Sequence, residues 1–430
     1  MDFSVLPNLV ALAILVAVFR AILRQGTTER LHLWLAGWIL VLVHFAAQFL
    51  DTGQGTWSLV ATAISLDALI LAGVAFLISV SSIVGSDGRR QVLLASAIAI
   101  PTLAYTNAAI WGISAPSLYY SLIAIGLAAT SLLFCRYYGR ISLYAAGMLS
   151  GSFAVAAAVA LSVAHGTPGW GINYILAGLN FVVALLYWRR YRRATAGVLT
   201  TVGGFVLWGA VFPTGILLAS FAPSAKIDSE VWNIPKYLVA VGMILTLLED
   251  QIAKSEYLAY HDALTGLPNR RLLEDRLERA LAQADRTGDN VAVLQLDLDH
   301  FKEVNDTFGH HVGDLALQEI VRRLASRMRA SDTLARSGGD EFTVVSTVAD
   351  TTGADVLVSD LESALSAPIN IEGKLLQAGL SIGVALYPKD GRNPDELHAA
   401  ADEAMYVAKR ATRGSGTIAV LPQPSVPRSC

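Results

Sequence analysis

The stretch VAVLQLDLDHFKEVNDTFGHHVGD, residues 291–314, decides the fold of the C-terminal part of this chain. It opens on an apolar run, Val291–Asp297, that predicts a buried β-strand. Asp297 and Asp299 stand where this strand ends, and helical periodicity follows over Val312–Ala330. The stretch therefore predicts a strand that delivers two carboxylates to its carboxyl end, followed by a helix.

Further elements follow in a regular order on the C-terminal side. The patterns predict a short strand ending at Arg336, a turn and strand over SGGDEFTVVS, a helix over Thr352–Leu365, a strand over Gly379–Tyr387 and a helix over Asn393–Thr412. The order βαββαβ predicts an α+β, ferredoxin-like domain with an antiparallel sheet flanked by helices.

Two acidic clusters lie where this topology can bring them together. Asp297 and Asp299 end the first strand, while Asp340 and Glu341 occupy the turn between the next two strands. Carboxylates in that arrangement can hold Mg²⁺, which prefers oxygen ligands and keeps sites open for phosphate oxygens. A D-x-D pair alone is weak evidence, because alternating acids at strand ends are common.

Glycines and basic residues add to the acidic clusters. Gly338 and Gly339 let backbone N–H groups approach a nucleotide, although Gly-Gly is also ordinary hairpin chemistry. Lys302 follows the first acids, and Lys409 and Arg413 share one face of the last helix, as a solvated helix face would also have. Together, metal-binding acids, glycines and bases describe a site for a triphosphate.

The N-terminal half has a different composition. The chain of 430 residues is 54% hydrophobic and only 16% charged, against about 25% in soluble proteins. Because most of the charged residues lie after residue 248, the net charge of −3 averages two unlike parts and says little about partners. We expect no nucleic acid among the partners. Nine stretches are long and apolar enough to span a bilayer: 3–23, 32–50, 57–83, 92–112, 117–135, 142–164, 171–188, 197–221 and 232–248.

The loops between these stretches alternate in charge. Basic residues occupy every second loop, at Arg24 and Arg30, Arg89 and Arg90, Arg136 and Arg140, and Arg189, Arg190, Arg192 and Arg193. The intervening loops have almost none, with Lys226 as the exception. Because basic loops stay on the cytoplasmic side, residues 1–248 are predicted to form a membrane domain of nine helices with its N-terminus outside. Eight spans remain the alternative.

Polar and aromatic residues within the spans leave two interpretations open. Asp67 and His44 are functional candidates, because ionisable groups inside a membrane are costly, or they are a structural hydrogen-bonding residue and an interfacial residue. Tryptophans near the predicted span ends favour interfacial anchors over ligand-stacking groups, at Trp34, Trp38, Trp57, Trp111, Trp170, Trp188 and Trp232.

The ninth span continues into a connector, residues 249–261, without a glycine or proline that would end a helix. Leu245, Leu248, Ile252 and Ala259 recur at roughly the spacing of a helical seam. The pattern predicts either a short two-stranded coiled coil or an amphipathic connector that packs on its own domain.

The soluble part resembles the GGDEF family of diguanylate cyclases over residues 250–420. DALTGLPNR (262–270), DLDHFKEVNDTFGHHVGD (297–314) and RSGGDEF (336–342) are similar to its motifs, and SIGVALYP and ADEAMYVAK complete the series in order. The resemblance implies a catalytic domain at 262–420, a flexible tail at 421–430 and the synthesis of cyclic di-GMP and pyrophosphate from two GTP molecules. It also implies a bacterial inner-membrane protein, and the loop charges predict that this domain lies in the cytoplasm.

Residue roles follow from the resemblance. Asp297, Asp340 and the Leu298 carbonyl are expected to bind Mg²⁺, with Mn²⁺ as the alternative, and Glu341 to assist the metal or activate the ribose 3′-hydroxyl. A homodimer is implied, because each domain binds one GTP. The GTP-binding residues are expected to be Asn305 and Asp314 at the guanine, Gly338 and Gly339 at the backbone, and Lys302, Lys409 and Arg413 at the phosphates.

RASD, with Arg329 and Asp332, matches the family's inhibitory R-x-x-D site for cyclic di-GMP. A surface ion pair or a strand lead-in is the alternative. The chain departs from the family pattern at Ser337, where an aromatic or apolar residue is common, and at Thr412, where glycine is usual. Two other functions compete with an active cyclase: an inactive cyclic di-GMP receptor, and a transporter or sensor with a regulatory tail.

Overall fold

The computed structural model describes residues 3–25, 29–81, 88–138, 143–222 and 231–412. The chain divides into two compact units, Met1–Asp250 and Gln251–Cys430. The first unit is helical and the second combines helices with strands, so the predicted fold class is confirmed.

Helices account for the described part of the first unit. Its α-helices are α1 (Leu6–Gln25), α2 (Glu29–Leu50), α3 (Gly55–Val80), α4 (Gly88–Ile110), α5 (Pro116–Tyr138), α6 (Leu143–Ala164), α7 (Pro168–Tyr191), α8 (Ala196–Phe221) and α9 (Ile234–Tyr260). Short 3₁₀ turns, Phe3–Val5 and Val231–Asn233, precede α1 and α9.

Seven helices in the described residues are long and apolar enough to cross a membrane. Two shorter apolar helices, Pro116–Leu132 and Leu149–Ala164, lie between the fourth and fifth of them in the chain. The count of nine spans stays a prediction. Helix α9 runs without interruption through the predicted connector, as the absence of glycine and proline indicated.

Aromatic residues fill the core of this unit. Trp34 and Trp38 are only 2% and 0% exposed, so their interpretation as interfacial anchors is wrong. The Trp38 ring packs edge-on against Phe76 with centroids 5.4 Å apart, and Trp34 Nε1 donates to Ser79 Oγ at 3.0 Å. Both tryptophans therefore face α3 rather than lipid, which position along the chain could not reveal.

Asp67 and His44, which were singled out within the predicted spans, join neighbouring helices. The Asn107 amide of α4 donates to both carboxylate oxygens of Asp67 in α3, at 3.0 and 2.9 Å. Nδ1 of His44 in α2 lies 2.8 Å from Ser65 Oγ in α3, and His44 is only 5% exposed. Asp67 thus makes the hydrogen bond between helices that its structural interpretation predicted. His44 is buried among the helices, which its interpretation as an interfacial residue did not predict.

The second unit is built around a four-stranded sheet. Its elements are α10 (Arg270–Thr287), β1 (Asn290–Asp299), α11 (Phe301–Phe308), α12 (His310–Ala325), β2 (Thr333–Gly338), β3 (Glu341–Val348), α13 (Thr351–Leu365), β4 (Ile369–Ile371), β5 (Lys374–Leu376), β6 (Gly379–Tyr387) and α14 (Pro394–Thr412). The strand order β2-β3-β1-β6 is antiparallel throughout, as the βαββαβ pattern predicts.

Both faces of the sheet are covered, because successive side chains of a strand point to opposite sides. Leu294 and Leu296 of β1 belong to the core formed with α12 and α13. Val291 and Val293 belong to the core formed with α10 and α14. Burial on both sides explains why β1 is a nearly continuous apolar run.

Helix α10 and the β4–β5 hairpin were not predicted, and α12 ends at Ala325 rather than Ala330. Helix α10 has sequence signals at both ends. The Asn269 side chain accepts from Leu272 N at 3.2 Å as the N-cap, and Gly288 ends the helix at φ 78°. Leu273, Leu277 and Leu281 recur at helical spacing and are buried.

Candidate active site

Four motif residues meet where β1 ends beside the β2–β3 hairpin. Asp297 of β1 is the cross-strand partner of Glu341 of β3. The Leu298 backbone N–H donates to the Asp340 carbonyl at 3.2 Å, which ties the hairpin to the end of β1. The structure therefore brings the two acidic clusters to one edge of the sheet, which we call the acidic edge (Asp297, Leu298, Asp340 and Glu341).

A lysine from the last helix reaches this edge. Nζ of Lys409 donates to Oδ1 of Asp297 at 2.7 Å, and the Asp297 side chain is only 8% exposed. On the neighbouring strand, Ser381 Oγ donates to Asp299 Oδ1 at 2.7 Å. Asp299 thus accepts a hydrogen bond from Ser381, while Asp297 forms an ion pair with Lys409.

The acidic edge raises the pKa of Glu341. Partial burial of the carboxyl contributes most, and repulsion by Asp297, Asp340 and Asp402 adds to it, while Lys409 acts in the opposite direction. A carboxylate that holds its proton more tightly is a stronger base. A cation placed among these residues would relieve the repulsion.

The donor set fits Mg²⁺ in its chemistry: two aspartates and a backbone carbonyl are all oxygen ligands. Within the residues that the structure describes, however, no three carboxylate, imidazole or thiol groups converge closely enough to hold a metal by themselves. This does not conflict with the electrostatics of Glu341, because charges interact over longer distances than metal–ligand bonds. The remaining ligands would be the Leu298 carbonyl, water and oxygens of the substrate.

Helices α11 and α12 carry the residues predicted to bind the base. His300 makes the sharp turn from β1 into α11 with φ 57°, and Lys302 is exposed in the first turn. Asn305 lies against Gly313 of α12 so closely that a Cβ on the glycine would be 1.9 Å from Asn305 Oδ1. Asp314 follows directly and is exposed. The loop thus brings Asn305 beside the residue preceding Asp314.

The Gly338–Gly339 turn is held by an arginine. Nε and Nη2 of Arg336 donate to the Gly339 carbonyl at 2.9 and 2.7 Å, and Nη1 donates to Asp262 Oδ1 at 2.8 Å. Gly339 has φ 42°, a conformation that favours glycine. Asp262 begins the DALTG motif, so two distant motifs meet at this arginine.

The pKa of the Asp262 carboxyl lies below the usual range for an aspartate. Burial opposes this, but hydrogen bonds from Thr265 and Arg336 outweigh it and lower the pKa of Asp262. No role was predicted for Asp262 or Arg336. The signal that could have indicated one is that each residue begins one of the family-like motifs, DALTGLPNR and RSGGDEF. Beside them is a cleft of about 450 Å³ that Arg270 and Arg271 also line.

Arg329 and Asp332 of the RASD segment form one turn. The Arg329 backbone N–H donates to Asp332 Oδ2 at 2.8 Å, and Ser346 Oγ donates to Asp332 Oδ1 at 2.7 Å. No ion pair joins the two side chains in the described part of the chain, so the ion-pair alternative has no support. The Arg329 side chain is exposed. Arg413 lies outside the described residues.

Residues 259–415 match the family described as "Diguanylate cyclase, GGDEF domain". Residues 259–415 are a GGDEF domain. The five motifs that carry the resemblance all lie within these residues, and two of them form the acidic edge.

Bacterial relatives carry similar domains. The bifunctional diguanylate cyclase/cyclic di-GMP phosphodiesterase MucR of Pseudomonas aeruginosa is 49% identical over 152 residues, which are 35% of this chain and 22% of the relative. The diguanylate cyclase TpbB of the same species is 43% identical over 182 residues, 42% of each protein. The chain thus spans less than half the length of these curated relatives.

Solved structures are similar over the GGDEF domain. That of YfiN or TpbB from P. aeruginosa has 42% identity, covering 34% of this chain and 92% of that one with a TM-score of 0.34. The GGDEF domain of DgcB from Caulobacter crescentus, in complex with c-di-GMP, has 29% identity, covering 36% and 91% with a TM-score of 0.34.

Proposed function

We propose that this protein is a diguanylate cyclase of the bacterial inner membrane that joins two GTP molecules into cyclic di-GMP and releases pyrophosphate. The observation that carries the proposal is the acidic edge, where Asp297 and Glu341 are cross-strand partners beside Lys409. The basic loops of the membrane half favour a cytoplasmic GGDEF domain, where GTP is available.

Asp297, Asp340 and the Leu298 carbonyl would hold Mg²⁺, with Mn²⁺ as the alternative. Bound metal supplies charge neutralisation and orients the phosphate oxygens. Lys409 already lies at Asp297, and with Lys302 and Arg413 it would bind the phosphates. A Cβ added to Gly338 or to Gly339 would meet no other atom within 4 Å, so there is room for a nucleotide against the backbone.

Glu341, the cross-strand partner of Asp297 at the acidic edge, would assist the metal or take the proton from the attacking ribose 3′-hydroxyl. Oxygen of the 3′-hydroxyl then bonds to the α-phosphorus of the second GTP, and pyrophosphate leaves. Two such attacks close the ring. Asn305 and Asp314 would select guanine, since a carboxylate accepts from its N1–H and N2–H₂ groups but finds no such pair on adenine.

A homodimer follows from this chemistry, because one domain offers one GTP site and the reaction joins two. The last turns of α9 carry exposed apolar residues suited to pairing, with Leu248 and Ile252 exposed by 54% and 49%. We infer that these residues and Ala259 pair two copies as a short coiled coil that carries regulation from the membrane half.

Feedback by the product is proposed at Arg329 and Asp332. The exposed guanidinium of Arg329 is available to a phosphate or guanine of cyclic di-GMP. Asp332 offers guanine N–H groups an acceptor that its two existing hydrogen bonds hold in place.

The decisive experiment incubates the full chain, in lipid nanodiscs, with GTP and Mg²⁺ and separates the nucleotides. Asp340→Asn removes one metal ligand with little change of volume and should reduce cyclic di-GMP formation at least a hundredfold. Asp355→Asn, at an exposed position of α13, is the matched control and should retain activity. No cyclic di-GMP from a dimeric wild-type preparation, or full activity of Asp340→Asn, would refute the proposal.

A further inference from the structure

A cavity of about 820 Å³ lies within the helical unit, between the start of α1, the second halves of α2 and α8 and the start of α9. Its volume is within the range of roughly 300–1,000 Å³ that small-molecule sites occupy. Aromatic side chains, including Phe45 and Trp208, and polar ones, including Asn8 and Asn233, share its wall. A simple packing defect between apolar helices would have no such mixture.

Lys236 is the unusual residue of this cavity. It is only 9% exposed, donates from Nζ to Asn233 Oδ1 at 2.7 Å and lies 4.5 Å from the centroid of the Phe45 ring. An ammonium group has three N–H donors, and this hydrogen bond uses one. No carboxylate of the described residues lies within ion-pair distance of it. A buried charge without a counter-ion is costly inside a membrane.

Trp208 adds a second aromatic ring to the same wall. It is only 3% exposed, and its Nε1–H is buried without a hydrogen-bond partner among the described residues. The ring lies 5.9 Å from Lys236 Nζ. Asp51 also lines the cavity, but its carboxylate accepts from the Gly53 backbone N–H at 2.8 Å and makes no ion pair with the lysine. The group of this wall with unused donors is therefore the Lys236 amino group.

We propose that this cavity binds a small organic monocarboxylate with an aromatic body. The carboxylate would accept from Lys236, and the apolar body would pack against aromatic side chains such as Phe45 and Trp208. In the proposed orientation, with the N-terminus outside, the cavity lies in the outer half of the membrane domain. The ligand would then come from outside the cytoplasm.

Lys236 lies on the helix that connects the two units. Lys236 is the third residue of α9, which continues as one helix to Tyr260, the second residue of the GGDEF domain. Binding the carboxylate would therefore change the forces on the helix that carries the proposed dimer contact. This regulatory part rests on the proposed cyclase function, whereas binding of the ligand does not.

The test measures binding to the full chain in phosphatidylcholine nanodiscs by calorimetry, with benzoate, phenylacetate and octanoate as probes. Benzamide is the neutral match of benzoate. Benzoate or phenylacetate should bind more tightly than octanoate, which has no ring, and benzoate should bind at least tenfold more tightly than benzamide. Lys236→Met should weaken carboxylate binding at least tenfold, while Lys254→Met, at an exposed position of the same helix, should change it less than twofold.

Phe45→Leu removes the aromatic ring beside Lys236 and should weaken binding severalfold, which provides a test even if the lysine variant does not fold. The site is refuted if neither benzoate nor phenylacetate binds, if benzamide binds as well as benzoate, or if neither variant alters affinity.

Cyclic di-GMP synthesis tests the regulatory part separately. A bound carboxylate should change the wild-type rate at least threefold and leave the rate of Lys236→Met unchanged. Binding without a change of rate refutes the regulatory role and leaves the site supported. A protein that binds carboxylate but makes no cyclic di-GMP under any condition supports the site and counts against the proposed enzymatic function.

Discussion

Replacing Arg336 by methionine should destabilise the GGDEF domain, because this side chain fastens the glycine turn to the DALTG motif. It makes an ion pair with Asp262 at 2.8 Å and two hydrogen bonds to the Gly339 carbonyl. The arginine and aspartate side chains are only 13% and 24% exposed. Hydrogen bonds to charged groups contribute about 1.5–3 kcal/mol each, and the two to Gly339 share one acceptor. We expect a loss of about 3 kcal/mol after relaxation.

Urea unfolding of residues 251–430, followed by circular dichroism, measures this loss. In heating experiments it corresponds to a decrease of about 6–12 °C in Tm for a domain of this size. Arg279→Met is the matched control, because Arg279 pairs with Asp275 at the same 2.8 Å while 77% exposed. An exposed pair contributes about 0–1 kcal/mol. Equal effects of the two substitutions would refute the assignment.

The pH dependence of the same pair provides a second measurement. Because the pKa of Asp262 is lower in the folded protein, its contribution is complete above the unfolded pKa of about 3.9. It is lost as the pH falls through the folded pKa. The difference in unfolding free energy between wild type and Arg336→Met should therefore be constant near neutral pH and shrink below about pH 4. A difference that grows on acidification would contradict the ion pair.

Three further substitutions test the site and its support. Gly313→Ala would place Cβ 1.9 Å from Asn305 Oδ1 and should raise the KM for GTP about tenfold, whereas Gly353→Ala, which meets only ordinary contacts, should not. Gly383→Ala would place Cβ 2.1 Å from the backbone of α14 and should lower the unfolding free energy by about 3 kcal/mol in urea titrations. Arg329→Ala should raise the cyclic di-GMP concentration needed for half-inhibition about tenfold without changing the initial rate; an unchanged inhibition curve would contradict the site.

Sequence patterns predicted the sheet well because burial on both faces makes strands such as β1 continuous apolar runs. The same reasoning placed Asp297 near Glu341, since the hairpin of a βαββαβ unit returns beside the first strand. Helix α10 was missed although Asn269 and Gly288 mark its ends, because its leucine repeat is interrupted by many charged residues and directly follows a motif rich in turn residues.

Contacts between residues far apart in the chain were harder to predict from the sequence. Arg336 and Asp262 are 74 residues apart, and nothing local shows that the arginine turns toward Asp262 rather than toward solvent. The buried tryptophans illustrate the same limit: a residue near the end of an apolar stretch can face lipid or a neighbouring helix, and only the packing of α2 on α3 decides for Trp38. Lys236 likewise resembles an interfacial lysine until the cavity around it is known.

The charge balance of the acidic edge shows why a short motif does not make a site. Asp297 and Asp340 act on Glu341 with the same sign, so bringing them together costs free energy that other residues must offset. Lys409 supplies one opposing charge from a helix 112 residues beyond Asp297. Arg336 holds the turn in place through Asp262, on the N-terminal side of the whole sheet. The acidic residues of the hairpin can therefore function only in a domain whose first and last segments are both folded onto it.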